Sequence, residues 1–166
     1  SLYSLPYPTN QGLRFLQGDI LSVPLHKGTF DLIINCSSIE HVGLAGRYGV
    51  GEGRPEGDLV AMERMHELIM PGGIMLLTVP VGQDAVFPPW HRVYGEERLP
   101  RLLHGYVVER EAFWTKDESN RWQCCDRGVA LAVRPLTNPR DPVQSVYALG
   151  CFVLRKPAEH IEPRKD

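Results

Sequence analysis

TFDLIINCSSIEHVGLAGRYG, residues 29–49, decides the fold. Its opening is a near-continuous apolar and β-branched run over residues 30–36, the pattern of a central strand in a parallel sheet, buried on both faces. The run ends in two serines and a Glu-His pair, then enters a glycine-rich stretch that extends to Gly57 and excludes a regular element. Open α/β sheets bind ligands in the crevice beyond the carboxyl ends of their strands. Glu40 and His41 stand at that position, so the stretch offers a strand and a candidate site together.

Working outward, GLRFLQGDI before it predicts a short strand over residues 13–17 that closes into a loop at Gly18-Asp19. After the glycine-rich loop, Asp58 stands where an N-cap belongs, ahead of LVAMERMHELIM with Leu59, Met62, Met65, Leu68 and Ile69 at helical spacing. The spacing predicts a helix over 58–70, stopped by Pro71-Gly72-Gly73, and a buried strand over 74–81. Strand, helix and strand in that order predict a right-handed parallel crossover. Further on, a short helical stretch is expected near 96–103, with two strands at 106–113 and 146–154 forming an antiparallel edge. The polar segment 117–142 between them gives no clear periodicity.

The chain has 166 residues, enough for one hydrophobic core, and reads as one α/β domain over 1–157 with a charged tail at 158–166. Its 18 Lys and Arg nearly balance 20 Asp and Glu, which disfavours nucleic acid as a partner. No apolar run is long enough for a membrane span, and SLYSLPYPTN lacks the basic start and apolar centre of a signal peptide. The expected setting is soluble and cytoplasmic, with Cys36, Cys124, Cys125 and Cys151 reduced, since none are spaced as CxxC. The first residue is Ser1, which points to a processed chain or a piece of a longer one.

Taken in order, LQGDI, FDLIINCSS, a helix running into PGG, and IMLLTVPV resemble the later two-thirds of a class I S-adenosylmethionine-dependent methyltransferase. EHVGLAGRYG, PEGDL, LTVPVG and HRVYG also resemble an uncharacterised methyltransferase-like family carrying EHxGLGRYG, GDL, VPVG and HRVYG. The resemblance implies the C-terminal portion of a Rossmann-like methyltransferase fold, with a mostly parallel sheet and an antiparallel edge. It implies methyl transfer from S-adenosylmethionine to an unknown small-molecule or other acceptor. The alternative is a non-catalytic methyltransferase-like module that binds a partner. Such enzymes begin with a strand and a glycine-rich turn that grips the methionine end of the cofactor, and no such strand precedes Leu13. GVGEG at 49–53 is no substitute, because it lacks the strand-turn-helix context. S-adenosylmethionine is therefore expected to bind this chain weakly or not at all, and the strand at 30–36 to lie at an edge, inviting self-association.

By resemblance, Asp19 would accept the adenine amino group and Ile20 would pack beside the ring; the plain alternative for Asp19 is a turn residue. Ser37 and Ser38 would orient the cofactor or cap the next turn. Methyl transfer aligns an acceptor and often removes its proton, a task suited to imidazole. His41 is the first candidate for that base and His91 the second, each otherwise a hydrogen-bonded loop histidine. Glu40 would orient His41, touch substrate, or pair with Arg47. Arg47, Tyr48 and Tyr94 form the expected substrate-contacting set. EHV also resembles metal-assisted methyltransferases, but Ser37 stands where those have a further glutamate, so no metal is expected. Neither a Tyr-x-x-x-Lys pair nor a GxSxG elbow occurs, which removes short-chain dehydrogenases and α/β-hydrolases.

Overall fold

In the computed structural model, which describes residues 12, 15–46, 51–138, 140 and 145–158, β1 (Phe30–Cys36) pairs in parallel with β2 (Ile69–Val81). Between them the chain passes through a 3₁₀ turn (Ile39–His41) and α1 (Gly57–Leu68), the crossover expected from the sequence. Ala61, Met62 and Met65 of α1 are buried with Met75, Leu77 and Val79 of β2 in one core. Each Met, Leu or Val side chain among them contributes about 1.5–3 kcal/mol when fully buried. The last turn of α1 is closed from a distance: Lys156 Nζ donates to the carbonyls of His66 and Ile69, both at 2.8 Å. A cation at a helix C-terminus satisfies orphan carbonyls and complements the helix dipole.

The sheet continues through β5 (Val107–Lys116), β6 (Trp122–Cys125) and β7 (Ala148–Arg155) in the order β1-β2-β7-β5-β6. β7 lies antiparallel between β2 and β5, so β1, β2 and β5 point the same way and β6 closes the far edge antiparallel to β5. The α/β Rossmann-like expectation holds, with β7 and β6 running against β1, β2 and β5. β7 alternates inward and outward along its length, and Gly150 is required within it. A Cβ there would sit 2.8 Å from the Phe152 ring and 2.9 Å from Val81. A separate hairpin, β3 (Ala85–Phe87) with β4 (His91–Val93), and α2 (Arg98–Leu102) connect β2 to β5; α3 (Arg127–Ala132) follows β6. No helix among the described residues is long and apolar enough to cross a membrane.

Four expectations are corrected. Phe15–Gln17 form no strand, and Leu13 and Arg14 lie outside the described residues; Phe15 and Leu16 are exposed. β1 is not buried on both faces: it has no second strand partner among the described residues, and Leu32 and Ile34 are 45% and 65% exposed. Pro71-Gly72-Gly73 does not separate helix from strand. α1 already ends at Leu68, and the three residues lie inside β2, absorbed by a register shift between Phe30↔Ile69 and Leu32↔Ile74 with Gly72 at φ +80°. Asp58 is no N-cap either. Glu56 occupies that position, and Asp58 is turned into the core, where cationic partners hold it.

Candidate functional site

The site begins where β1 stops. Ser37 adopts φ +45°, a conformation uncommon for a residue with a Cβ. Bonds from its N–H to the Thr78 carbonyl at 3.0 Å and to Thr78 Oγ1 at 3.1 Å hold it there. This bend sets the 3₁₀ turn across the carboxyl end of the sheet, with Ile39 sunk into the core as its anchor. Ser38 does not cap the turn with its side chain; its hydroxyl donates to Asn35 Oδ1 at 2.7 Å.

Glu40 is only 3% exposed, and its Oε2 has no hydrogen-bond partner. Burial pushes its carboxyl up to about 7, against the opposing pull of its own backbone N–H. His41 Nδ1 bonds the Trp90 carbonyl, so that nitrogen carries the hydrogen and the other, Nε2, is the basic one. Nε2 faces Glu40 Oε1 at 3.7 Å. The contact is an ion pair only with the ring protonated and the carboxyl ionised, and desolvation favours the neutral carboxyl. His91 reaches the same place from β4, its Nε2 3.2 Å from Thr137 Oγ1 and its ring 5.8 Å from that of Tyr147.

Two cavities flank the turn. One of about 290 Å³ is lined by Ser37, Glu40, His41, Trp90, His91 and Tyr147, among others. The other, of about 600 Å³, is lined by Asp19, Ile20, Ile33, Asn35, Ser38 and Ile39, among others. The structure thus brings together the three groups expected to do acid-base work and groups Asp19 and Ile20 with Ser38. Ser37, expected beside the cofactor, instead lines the cavity with the histidines, because its left-handed backbone turns it across the strand end. Asp19 Oδ1 accepts the Leu21 N–H at 3.0 Å, so the turn role is present, although a carboxylate keeps further acceptor capacity. Arg47 and Tyr48, and with them the expected Glu40–Arg47 pair, lie outside the described residues.

Tyr94 is corrected. It is 0% exposed and its hydroxyl donates to Asp58 Oδ2 at 3.1 Å, which removes it from reach of a substrate. It belongs to a buried latch that sequence reasoning missed. Arg92, 1% exposed, donates through Nη1 to the carbonyls of Val42 (2.6 Å) and Glu40 (3.3 Å). Through Nη2 it reaches those of Pro55 (3.2 Å) and Arg54 (3.4 Å). Its charge is met by Asp58 Oδ1, 3.6 Å from Nε, and Asp58 is also held by Arg98. One guanidinium therefore ties both ends of the glycine-rich loop to β4. The loop complies because Gly43, at φ +78°, leaves no room for a Cβ, which would meet the Arg54 carbonyl at 2.4 Å. The signal was the alternation in HRVYG, which places Arg92 and His91 on opposite sides of one short strand.

The motifs joined by this latch lie within residues 22–126, the span matched by the family model described as "Caenorhabditis protein of unknown function, DUF268". The chain belongs to the DUF268 family. Among solved structures, this DUF268 chain resembles a candidate methyltransferase from Bacillus halodurans C-125 at 12% identity and TM-score 0.53, over 88% of its own length and 78% of that protein's. It also resembles an S-adenosylmethionine-dependent methyltransferase from Methanosarcina mazei at 12% identity and TM-score 0.51, over 86% and 66%. The [4+2]-cyclase SpnF matches at 16% identity and TM-score 0.49, over 86% of this chain and 55% of that one. The DUF268 chain thus spans 55–78% of the length of these structures. At such identities the likeness shows the fold, that of class I methyltransferases. No curated protein matches the chain.

Proposed function

We propose that the chain serves methyl transfer from S-adenosylmethionine to a small-molecule acceptor, with the acceptor in the 290 Å³ cavity and the adenosine end of the cofactor in the 600 Å³ one. The observation that carries this is the position of His41 and Glu40 on one turn between the two cavities, beyond the end of β1.

The residues present fit the cofactor at one end. Asp19 stands beside Ile20, Ile33 and Ile39, a carboxylate against an apolar wall, which suits an exocyclic amino group and a purine ring. The described residues contain no glycine-rich strand-to-helix turn for the methionine end, so binding by this chain is expected to be weak. When bound, the cofactor supplies an electrophilic methyl group on a sulfonium. The chain's own part is to seat the acceptor against Glu40 and His41 and take its proton. Nδ1 on the Trp90 carbonyl fixes the ring and leaves Nε2 to receive that proton. Burial pushes the Glu40 carboxyl up to about 7, so it can hold a proton near physiological pH.

The test is a backbone-amide NMR titration of the chain with adenosine and then with S-adenosylhomocysteine. Adenosine is expected to shift Ile20, Leu21 and Ser38, and S-adenosylhomocysteine to bind no tighter than adenosine. Shifts confined to other residues, or none at saturating adenosine, would overturn the cofactor placement. Low-micromolar S-adenosylhomocysteine binding would overturn the expected weakness.

A further inference from the structure

A buried carboxyl oxygen without a partner is rare in folded proteins, because it retains the desolvation cost with nothing to offset it. Glu40 Oε2 is such an atom, on a side chain that lines the 290 Å³ cavity. Rotation of the carboxyl group about its terminal bond is soft, so either oxygen can be presented to an occupant. Around the cavity stand the ring-bearing residues Trp90, His91 and Tyr147, and among the described residues lining it there is no Lys or Arg. Such a wall lacks the guanidinium and ammonium groups that best hold a carboxylate or a phosphate, and places a buried carboxyl where an anion would be repelled. It has what an organic cation needs, namely one carboxyl to meet the charge and aromatic rings to replace its water.

We propose that the acceptor taken by this cavity is an organic amine on an aromatic or apolar body, with its nitrogen docked against the Glu40 carboxyl. The proposal deepens the methyl-transfer reading and rests on it for the fate of the amine, though not for its binding. The proton balance is simple. The ammonium N–H bond breaks and an O–H bond forms on Glu40, giving a neutral amine with a free lone pair beside a neutral carboxylic acid. A neutral pair is the cheaper state in a desolvated site. His41 Nε2, 3.7 Å from Oε1, is placed to take the same proton onward.

The experiment uses the 166-residue chain alone, without cofactor, and three probes of one shape: phenethylamine, phenethyl alcohol and phenylacetate. Phenethylamine is expected to bind about tenfold or more tightly than the alcohol, the scale of a charge-assisted hydrogen bond, with phenylacetate weakest. Bound amine should shift the Trp90 indole and Tyr147 ring signals. Glu40→Gln should remove the preference for the amine over the alcohol, with a melting temperature at or above that of the parent chain showing that the variant folds. Equal affinity for amine and alcohol, an unchanged preference in Glu40→Gln, or amine-induced shifts elsewhere in the chain would each overturn the proposal. Because no cofactor is present, amine binding survives a failure of the adenosine titration, and its loss beside a successful titration overturns only the acceptor class.

Discussion

Asp58 grips Arg98 with both carboxylate oxygens, Oδ1 to Nη2 at 2.6 Å and Oδ2 to Nε at 2.9 Å. The same carboxylate, fully buried at the start of α1, faces Arg92 and accepts from Tyr94. Breaking a buried pair by removing one partner leaves the other charge uncompensated and costs about 3–5 kcal/mol. Asp58→Ala is therefore expected to lose stability on that scale in urea unfolding and to release the loop that Arg92 holds. A loss below about 1 kcal/mol, the range of an exposed pair, would show that the latch carries little of the fold.

Glu40 makes stability depend on pH in a defined window. Its carboxyl is raised from the ordinary 4.5 to about 7 in the folded chain, so the folded state holds a proton that the unfolded state has already lost. The stabilisation is complete below 4.5 and is lost as pH rises through 7, a total of about 3 kcal/mol. Glu40→Gln should match the parent at low pH and exceed it in stability above neutrality. His41 and Arg92 lie against Glu40, and His91 and Tyr147 line the same cavity, so the comparison is repeated in a His41→Asn background. Unfolding curves whose difference does not change with pH would refute the raised value.

On the proposed methyl-transfer reading, His41→Asn in the full-length parent should lower single-turnover methyl transfer by about 10²- to 10⁴-fold, the usual contribution of a general base, while keeping cofactor affinity. His91→Asn is expected to cost less, because its Nε2 already meets Thr137. Melting temperatures separate the readings: a structural histidine would lose stability and binding together. Turnover by His41→Asn at the parent rate would end its assignment as the base.

The open side of β1 carries a prediction about association. Leu32 and Ile34 are exposed beside an edge with no further strand among the described residues, the arrangement that favours pairing between chains. Sedimentation should show mass rising with concentration, and Ile34→Lys should abolish the rise. A chain that stays monomeric at high concentration would remove that surface from consideration.

The elements with strong periodicity were legible: β1, the body of α1 and β7 stand close to where apolar spacing put them. PGG misled because Gly and Pro read as punctuation, whereas here a register shift against β1 absorbs them. β6 and α3 were invisible because a four-residue strand and a six-residue helix carry too few residues for a period. At the site, Glu40, His41 and His91 could be named because their chemistry is local to the residue. Arg92 and Asp58 could not, since a salt bridge spanning |i−j| = 34 leaves no mark in either neighbourhood, and Asp58 carried the ordinary signature of a cap.

The β3–β4 hairpin presents His91 to the cavity and Arg92 to the latch from adjacent positions. Side chains alternate along a strand, so one inserted or deleted residue between Phe87 and His91 would exchange the two faces. The imidazole would be packed against loop carbonyls, and a guanidinium would enter the 290 Å³ cavity that Glu40 lines. Within this turn only Pro88 is exposed, so its residue count is under tighter constraint than the composition at that position: a change in length would cost loop anchorage and cavity chemistry in a single event.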